Sequence, residues 1–128
     1  MHNKSVLEKE ASNNLDITEL IIDSIQDIKG KNILKLDLRE LDDAPTDYFI
    51  ICEGDSTTQI SAIADNIVYR TKSELGLYPS HVEGKQHANW ILVDYFDVIV
   101  HVFYPETRRF YEIEDLWSDA KSTEYQNI

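Results

Sequence analysis

Apolar residues recur in the chain at two spacings, one typical of helices and one typical of strands. In residues 16–30 and again in residues 56–76 they return every three or four positions, and each segment ends at a glycine. This spacing places the apolar side chains on one face of an α-helix. Both segments begin with a polar residue that can cap a helix, Asp16 in the first and Ser56 in the second. The pattern predicts two amphipathic helices.

Other apolar positions predict about five strands: residues 32–38, 48–52, 81–83, 90–95 and 98–103. The first alternates polar and apolar side chains, as a strand with one exposed face does, whereas the second is apolar throughout, as a strand covered on both faces is. The last two are predicted to form a hairpin. Phe96 is an unusual residue for its tip, because tight turns of this kind require positive φ.

These elements together predict an α/β sandwich with a mixed sheet, since strand-helix-strand units favour parallel pairing and a hairpin is antiparallel. A closing segment, residues 106–117, is predicted to supply a short helix in which Ile113, Leu116 and Trp117 touch one surface. The expected domain spans residues 16–120. Residues 1–15 and 121–128 show no periodic apolar pattern, and we expect them to be flexible.

The chain has 128 residues, enough for one domain, and it is strongly acidic. Its 24 aspartates and glutamates against 12 lysines and arginines give a formal net charge of −12. Proteins bind phosphate backbones by neutralising them with lysine and arginine, so bare DNA or RNA is a poor candidate ligand. The charge either favours a basic protein as partner or serves solubility alone, and composition leaves both interpretations open.

The sequence shows neither a membrane span nor a secretion signal. No segment approaches the ~20 consecutive apolar residues that a span needs, and residues 1–5 lack the basic and apolar regions of a signal peptide. We therefore expect a cytoplasmic protein. The single cysteine, Cys52, lies within an apolar run, which favours a buried thiol over a reactive one.

Candidate residues for phosphate binding or nucleophilic catalysis exist, but their spacing is uninformative. The turn at residues 53–58 lies between a strand and a helix, where backbone N–H groups can bind an anion, yet Glu53 and Asp55 would repel one. A turn followed by a helix cap is therefore the favoured interpretation of the segment. No serine elbow or cysteine-histidine spacing indicates a nucleophile. We predict no catalytic residue and no cofactor.

Metal ligation is also weakly indicated. The residues that could supply nitrogen and oxygen ligands are His81, Glu83, His87, Asp94, Asp97 and His101. Strand alternation places Asp94 in one set of side chains, with Trp90 and Leu92, and His101 in another, so their convergence on one ion would be accidental. We predict no metal site.

The segment 83–103 is the best candidate for a binding surface. Trp90 begins a strand that also carries Asp94 on the same face, and Tyr95 and Asp97 follow at the hairpin tip. Tryptophan and tyrosine often dominate the binding energy of an interface, and acidic neighbours suit a basic partner. The alternative is a core tryptophan beside solvated acids.

Several short blocks keep a distinctive order and spacing over about residues 20–120: DYFIICEG at 47–54, Gln59, AIAD at 62–65, EG at 83–84, WILVDY at 90–95, DVIVHVF at 97–103, RFY at 109–111 and LW at 116–117. In these blocks the chain resembles the ribosomal silencing factors, also called the Iojap-like family. The resemblance implies a nucleotidyltransferase-like α/β fold without established transferase activity, so we expect neither an enzyme nor a cofactor-binding protein.

The resemblance also implies a partner. Members bind ribosomal protein fourteen of the large subunit, a basic protein where the small subunit docks, and so block subunit joining and repress translation when nutrients are scarce. Free members are often homodimers. By motif position, the binding surface should comprise Trp90, Asp94, Tyr95, Glu83, Asp97 and His101. Members usually have glycine where this chain has Phe96, so the conformation of the hairpin tip is in question.

Two other functions remain open on the sequence. One is an enzyme that uses the nucleotidyltransferase-like frame, with Asp94 and Asp97 holding magnesium. These two residues are three apart across a turn, whereas transferases place such carboxylates two apart on one strand so that both face the metal. The other is a dimeric adaptor for a different protein.

Overall fold

The structure is a computed structural model, and it describes residues 17–128. Its elements in chain order are α1 (described for residues 17–27), β1 (Lys31–Asp37), β2 (Tyr48–Glu53), α2 (Thr57–Leu75), β3 (His81–Glu83), β4 (Trp90–Asp94), β5 (Val98–Phe103), α3 (Pro105–Tyr111), α4 (Ile113–Leu116) and β6 (Lys121–Tyr125). The predicted capping residue Asp16 and the segment 1–15 lie outside the described residues.

The described strands form a six-stranded sheet in the order β3-β4-β5-β2-β1-β6. β2 and β5 are parallel, and the other neighbouring strands pair antiparallel. The predicted mixed α/β fold is therefore confirmed, with one strand more than expected. Across residues 17–128, no helix is long and apolar enough to cross a membrane.

The helix α2 has the ends that its sequence predicts. The side chain of Ser56 accepts a hydrogen bond from the backbone N–H of Gln59, and Gly76 ends the helix in the left-handed conformation with φ +66°. The side-chain amide Nε2 of Gln59 also donates hydrogen bonds to the backbone carbonyls of Ile28 and Lys29, at 2.9 and 3.1 Å. Gln59 thus ties the start of α2 to the end of α1.

Strand β2 is central and is buried on both faces, as its unbroken apolar run predicts. On one side Ile50 and Cys52 pack with the isoleucines of α1 and α2. On the other, Phe49 and Ile51 pack with Ile113 at the start of α4. The sheet is therefore the middle layer between α1 and α2 on one side and the C-terminal helices on the other.

The expectation that the chain has no regular structure from residue 121 onward is wrong for residues 121–125. They form β6, an edge strand that pairs antiparallel with β1. Four of its five side chains are exposed, so the strand is held mainly by its backbone hydrogen bonds and by half-buried Tyr125. A strand with both faces in solvent needs no alternation of apolar residues, which is why the sequence did not reveal it.

The single short helix predicted for residues 106–117 is divided into α3 and α4. The break is at Glu112, which has φ +46°. Ile113 is buried, and Trp117 packs against Phe49 with ring centroids 6.1 Å apart. Leu116, expected to share their surface, is instead 74% exposed. The change of direction at Glu112 turns this leucine away from the sheet.

Candidate functional site

Cross-strand pairing collects most of the predicted binding residues on one side of the sheet. β4 pairs with β5 so that Leu92 lies opposite His101, and it pairs with β3 so that Glu83 lies opposite Leu92. Residues directly opposite in an antiparallel pair point to the same side, as do alternate residues along a strand. This shared side is the β3–β5 face, and it carries Glu83, Trp90, Leu92, Asp94 and His101.

Alternation within single strands places Trp90 and His101 in separate sets of side chains. The alternation within each strand is as expected, but the register of the hairpin superimposes the two sets. The indole Nε1 of Trp90 donates a hydrogen bond to Nδ1 of His101 at 3.1 Å. These two predicted binding residues form one unit.

Trp90 is half-buried at the start of β4, and three rings contact it. Its ring centroid lies 4.8 Å from that of Phe103 and 4.8 Å from that of Tyr111, and it is tilted over His101 at 5.9 Å. Such contacts, together with the hydrogen bond of the indole N–H, fix the orientation of the side chain. One part of the indole is packed and the remainder is open to solvent.

Gly84 allows the loop after β3 to pass close to Trp90. Its φ is +90°, a conformation that side chains rarely adopt, and a Cβ at this position would overlap the backbone carbonyl of Trp90. The glycine of the EG block therefore has a local steric role. It lets Glu83 and Trp90 occupy neighbouring positions on the β3–β5 face.

His101 is 5% exposed, so it does not reach the surface of the β3–β5 face. Because Nδ1 of His101 accepts the hydrogen bond from the indole N–H of Trp90, the neutral imidazole carries its own proton on Nε2. This Nε2 is buried without a hydrogen-bond partner among the described residues. Burial lowers the pKa of His101 from 6.5 to about 4. This histidine can support binding only by positioning Trp90.

We expect His101 to make the fold sensitive to acid. The unfolded chain binds a proton near pH 6.5 and the folded chain only near pH 4, so the stabilisation is complete above pH 6.5 and is lost as the pH falls towards 4. The free energy of unfolding should fall by about 2 kcal/mol between pH 7 and pH 5. Chemical denaturation at a series of pH values measures this change.

The control for this prediction is His101→Gln, which keeps an acceptor for the indole N–H but does not titrate. In this variant the free energy of unfolding should change less between pH 7 and pH 5 than in the wild type. The exposed His81 and His87 are present in both proteins, so they do not account for the difference. An equal slope in the two proteins would assign the acid sensitivity to other groups.

Acidic side chains border the β3–β5 face. Asp94 accepts a hydrogen bond from the backbone N–H of Phe96 at 2.7 Å, and its other oxygen lies 3.6 Å from Nε2 of His81. The side chain of Glu83 is 67% exposed, and Asp97 is exposed at the hairpin tip. The exposed carboxylate of Glu83 thus lies on the strand next to β4, whereas Asp94 and Asp97 lie towards the hairpin tip, at the other end of β4 from Trp90.

Tyr95 lies on the opposite side of the sheet from the other predicted residues. Its ring packs against the core beneath α1 and α2, and its hydroxyl lies 2.6 Å from that of Thr71 on α2. Since the Thr71 hydroxyl already donates to the carbonyl of Ile67, the Tyr95 hydroxyl is the donor. Burial raises the pKa of Tyr95. The structure therefore gives Tyr95 a packing role and separates it from the β3–β5 face.

Helix α3 extends the aromatic surface beyond Trp90, and none of its residues was among the predicted binding residues. Tyr111, which contacts Trp90, is 51% exposed, and Phe110, 5.0 Å from it, is 80% exposed. Leu92 and Ile99 are half-exposed on the sheet itself. Scattered exposed aromatics are common, but this group is continuous with the indole.

Arg108 fastens the C-terminal helices to the sheet. Its Nη1 donates to the carbonyl of Asn32 at 2.7 Å and to a carboxylate oxygen of Glu53 at 3.0 Å, and its Nε donates to Glu114 at 3.1 Å. The side chains of Arg108 and Glu53 are only 11% and 15% exposed. This network holds α3, and with it Tyr111, in place against Trp90.

Three features that could support catalysis are a group of metal ligands, the turn before α2 and the thiol of Cys52. Residues 17–128 contain no group of three His, Cys, Asp or Glu side chains arranged to hold a metal ion. In the turn before α2, the N–H of Asp55 donates to the side chain of Gln59, which agrees with a turn and a helix cap. Cys52 is fully buried, and burial raises its pKa to about 12, so its thiol stays protonated at neutral pH.

The chain is similar in sequence to proteins of one family. The model of the family described as "Ribosomal silencing factor during starvation" matches residues 10–128. The ribosomal silencing factor RsfS of Halalkalibacterium halodurans is 32% identical over 115 residues, which cover 90% of this chain and 97% of that protein. The protein of the same name from Bacillus subtilis is 38% identical over 108 residues, 84% of this chain and 90% of that one.

The fold is also similar to that of a solved relative. A crystal structure of a protein from Chromobacterium violaceum matches with a TM-score of 0.77 and 38% sequence identity, over 81% of this chain and 85% of that one. The family match spans both faces of the sheet, including the β3–β5 face and the C-terminal helices. On these grounds, the chain belongs to the family of ribosomal silencing factors.

Proposed function

We propose that this protein is a cytoplasmic, non-catalytic repressor of translation that binds ribosomal protein fourteen of the large ribosomal subunit and blocks the joining of the small subunit. The observation that carries the proposal is the half-buried indole of Trp90, which is fixed by three rings and a hydrogen bond on a face of the sheet that also carries Glu83 and Asp94. It belongs to a chain with a net charge of −12, in a family named for ribosomal silencing.

Charge and aromatic contact would act at different stages of binding. Long-range attraction between an acidic protein and a basic partner increases the rate of encounter, and it weakens as salt screens the charges. A rigid aromatic side chain that enters a desolvated pocket slows dissociation. Because Trp90 is already held by Phe103, Tyr111 and His101, it loses little conformational freedom on binding.

Inhibition would be steric. A domain bound where the small subunit must dock occupies the space that subunit needs, and no bond has to be made or broken. Carboxylates such as Asp94 and Asp97 contribute charge in this mechanism rather than metal binding. In the absence of ribosomes, we propose that two copies associate through the β3–β5 face, so that dimer formation and ribosome binding exclude each other.

The test is sedimentation of the protein with purified large and small subunits, followed by a subunit-joining assay. We expect the protein to sediment with large subunits alone and, when it is added in excess, to reduce the amount of joined ribosomes. Binding should weaken as the salt concentration rises. Normal joining in the presence of saturating protein would contradict the proposed function.

A further inference from the structure

A groove with a mixed apolar and polar lining lies at the tip of the β4–β5 hairpin. The loop between β1 and β2 packs beside this tip and leaves a groove of about 260 Å³. We call it the tip groove; its lining includes Leu38, Leu41, Ala44, Pro45, Phe96 and Asp97. Arg39, Thr46 and Asp47 complete the lining, so apolar side chains lie beside polar and charged ones.

Hydrogen bonds hold both walls of the tip groove in place. The hydroxyl of Thr46, a buried residue, donates to the carbonyl of Phe96 at 2.7 Å. The N–H of Leu38 donates to the carbonyl of Asp47 at 2.8 Å, and the N–H of Tyr48 donates to the carbonyl of Asp97 at 3.1 Å. The groove is therefore preformed, and a ligand would not have to order it.

Phe96 is exposed on one wall of the groove in an unfavourable backbone conformation. Its φ is +79°, and the N–H of Asp97 donates to the carbonyl of Tyr95 across it, which is the hydrogen bond of a strained γ-turn. Glycine would adopt this φ without strain. The ring is 80% exposed, so packing within the monomer does not compensate for the strain.

The rim of the tip groove is negatively charged. Asp47 and Asp97 line it, and neither has an ion-pair partner between residues 17 and 128. The one cation of the lining, Arg39, makes two hydrogen bonds to Asp37 at 2.8 and 3.0 Å. These bonds lower the pKa of Asp37 to about 2, so Asp37 stays ionised and its negative charge balances the positive charge of Arg39. The negative charge of the rim remains uncompensated.

The geometry points to the tip groove as a docking site for an extended basic segment of a protein partner that inserts one apolar side chain against Phe96. The apolar part of the preformed groove accommodates the side chain, and the unpaired aspartates of its lining attract neighbouring lysine or arginine residues. The inference rests on the proposed function, because we assign the segment to the basic ribosomal protein that the β3–β5 face would bind. A phosphate backbone is a poor occupant of this acidic rim.

Phe96→Gly separates binding from folding, because it removes the ring and relieves the strained φ. The variant should keep or raise the midpoint of thermal unfolding, whereas its affinity for purified large subunits should fall at least about tenfold. Tyr69→Ala is the matched control, since Tyr69 is 67% exposed on α2 and lies outside both proposed surfaces. Its affinity should equal that of the wild type.

The outcomes distinguish the two proposals. Wild-type protein that binds large subunits, together with Phe96→Gly that binds equally well, overturns the tip groove and leaves the proposed function intact. Wild-type protein that does not bind large subunits overturns both.

A photoreactive phenylalanine derivative at position 96 tests the occupant directly. On large subunits we expect crosslinks to a lysine- or arginine-rich protein segment that contains an apolar residue. Crosslinks to ribosomal RNA alone, or none despite binding, would show that the groove does not hold such a segment.

Discussion

Arg108→Met should lower the free energy of unfolding by about 3 to 5 kcal/mol, the usual loss when one partner of a buried ion pair is removed. Methionine preserves the length of the side chain but leaves the carboxylates of Glu53 and Glu114 without their cation. Both are largely buried, at 15% and 27% exposure. Urea denaturation monitored by circular dichroism measures the change.

Arg70→Met is the control for this prediction, because Arg70 also forms ion pairs with several carboxylates. It donates to Asp23, Asp27 and Glu74 at 2.6 to 2.8 Å, but these acids are between 47% and 61% exposed and can be solvated when the arginine is removed. We expect a loss of about 1 kcal/mol. Equal losses in the two variants would mean that burial does not determine the cost, and would contradict our account of Arg108.

Loss of Arg108 should also weaken binding through the proposed binding surface. The network joins α3 to the ends of β1 and β2, and Tyr111 on α3 contacts Trp90. Release of α3 would remove one of the three rings that orient the indole. Arg108→Met should therefore bind large subunits more weakly than Arg70→Met, at a temperature at which both variants are folded.

The elements that bury a full face were predictable from sequence. Helix α2 has a continuous apolar stripe between a capping serine and a terminal glycine, and β2 is apolar at every position that two layers cover. β6 was not predictable, because four of its five side chains are exposed and its partner, β1, is distant in sequence. Because β6 pairs with β1 mainly through backbone hydrogen bonds, its sequence shows no alternation of apolar and polar side chains that would predict a strand.

The geometry of the proposed binding surface was predictable only in part, for a similar reason. Trp90 was proposed as the anchor from its size and its acidic neighbours in sequence, but the pairing of Trp90 with His101 depends on the register of the hairpin, which the pattern within one strand does not specify. Alternation from Asp94 to Tyr95 already implied that the two point to opposite sides, yet both were assigned to one surface. Arg108 was missed because its acidic partner Glu53 lies 55 residues away in sequence.

Trp90→Ala should weaken binding to large subunits by about 2 kcal/mol or more, roughly thirtyfold, if the indole is the anchor of the interface. Truncation would also remove its contacts with Phe103 and Tyr111, so the free energy of unfolding should fall by about 2 kcal/mol, less than for a fully buried tryptophan. Binding must therefore be measured at a temperature at which the variant is folded.

Two further variants separate the anchor role from the packing role. Trp90→Phe keeps a ring against Phe103 and Tyr111 but loses the hydrogen bond to His101, so its affinity should lie between those of wild type and Trp90→Ala. The second tryptophan, Trp117, packs on Phe49. Trp117→Ala should lower stability while affinity stays near that of the wild type. Folded Trp90→Ala that binds as tightly as Trp117→Ala would mean that the indole packs the monomer and does not anchor a partner.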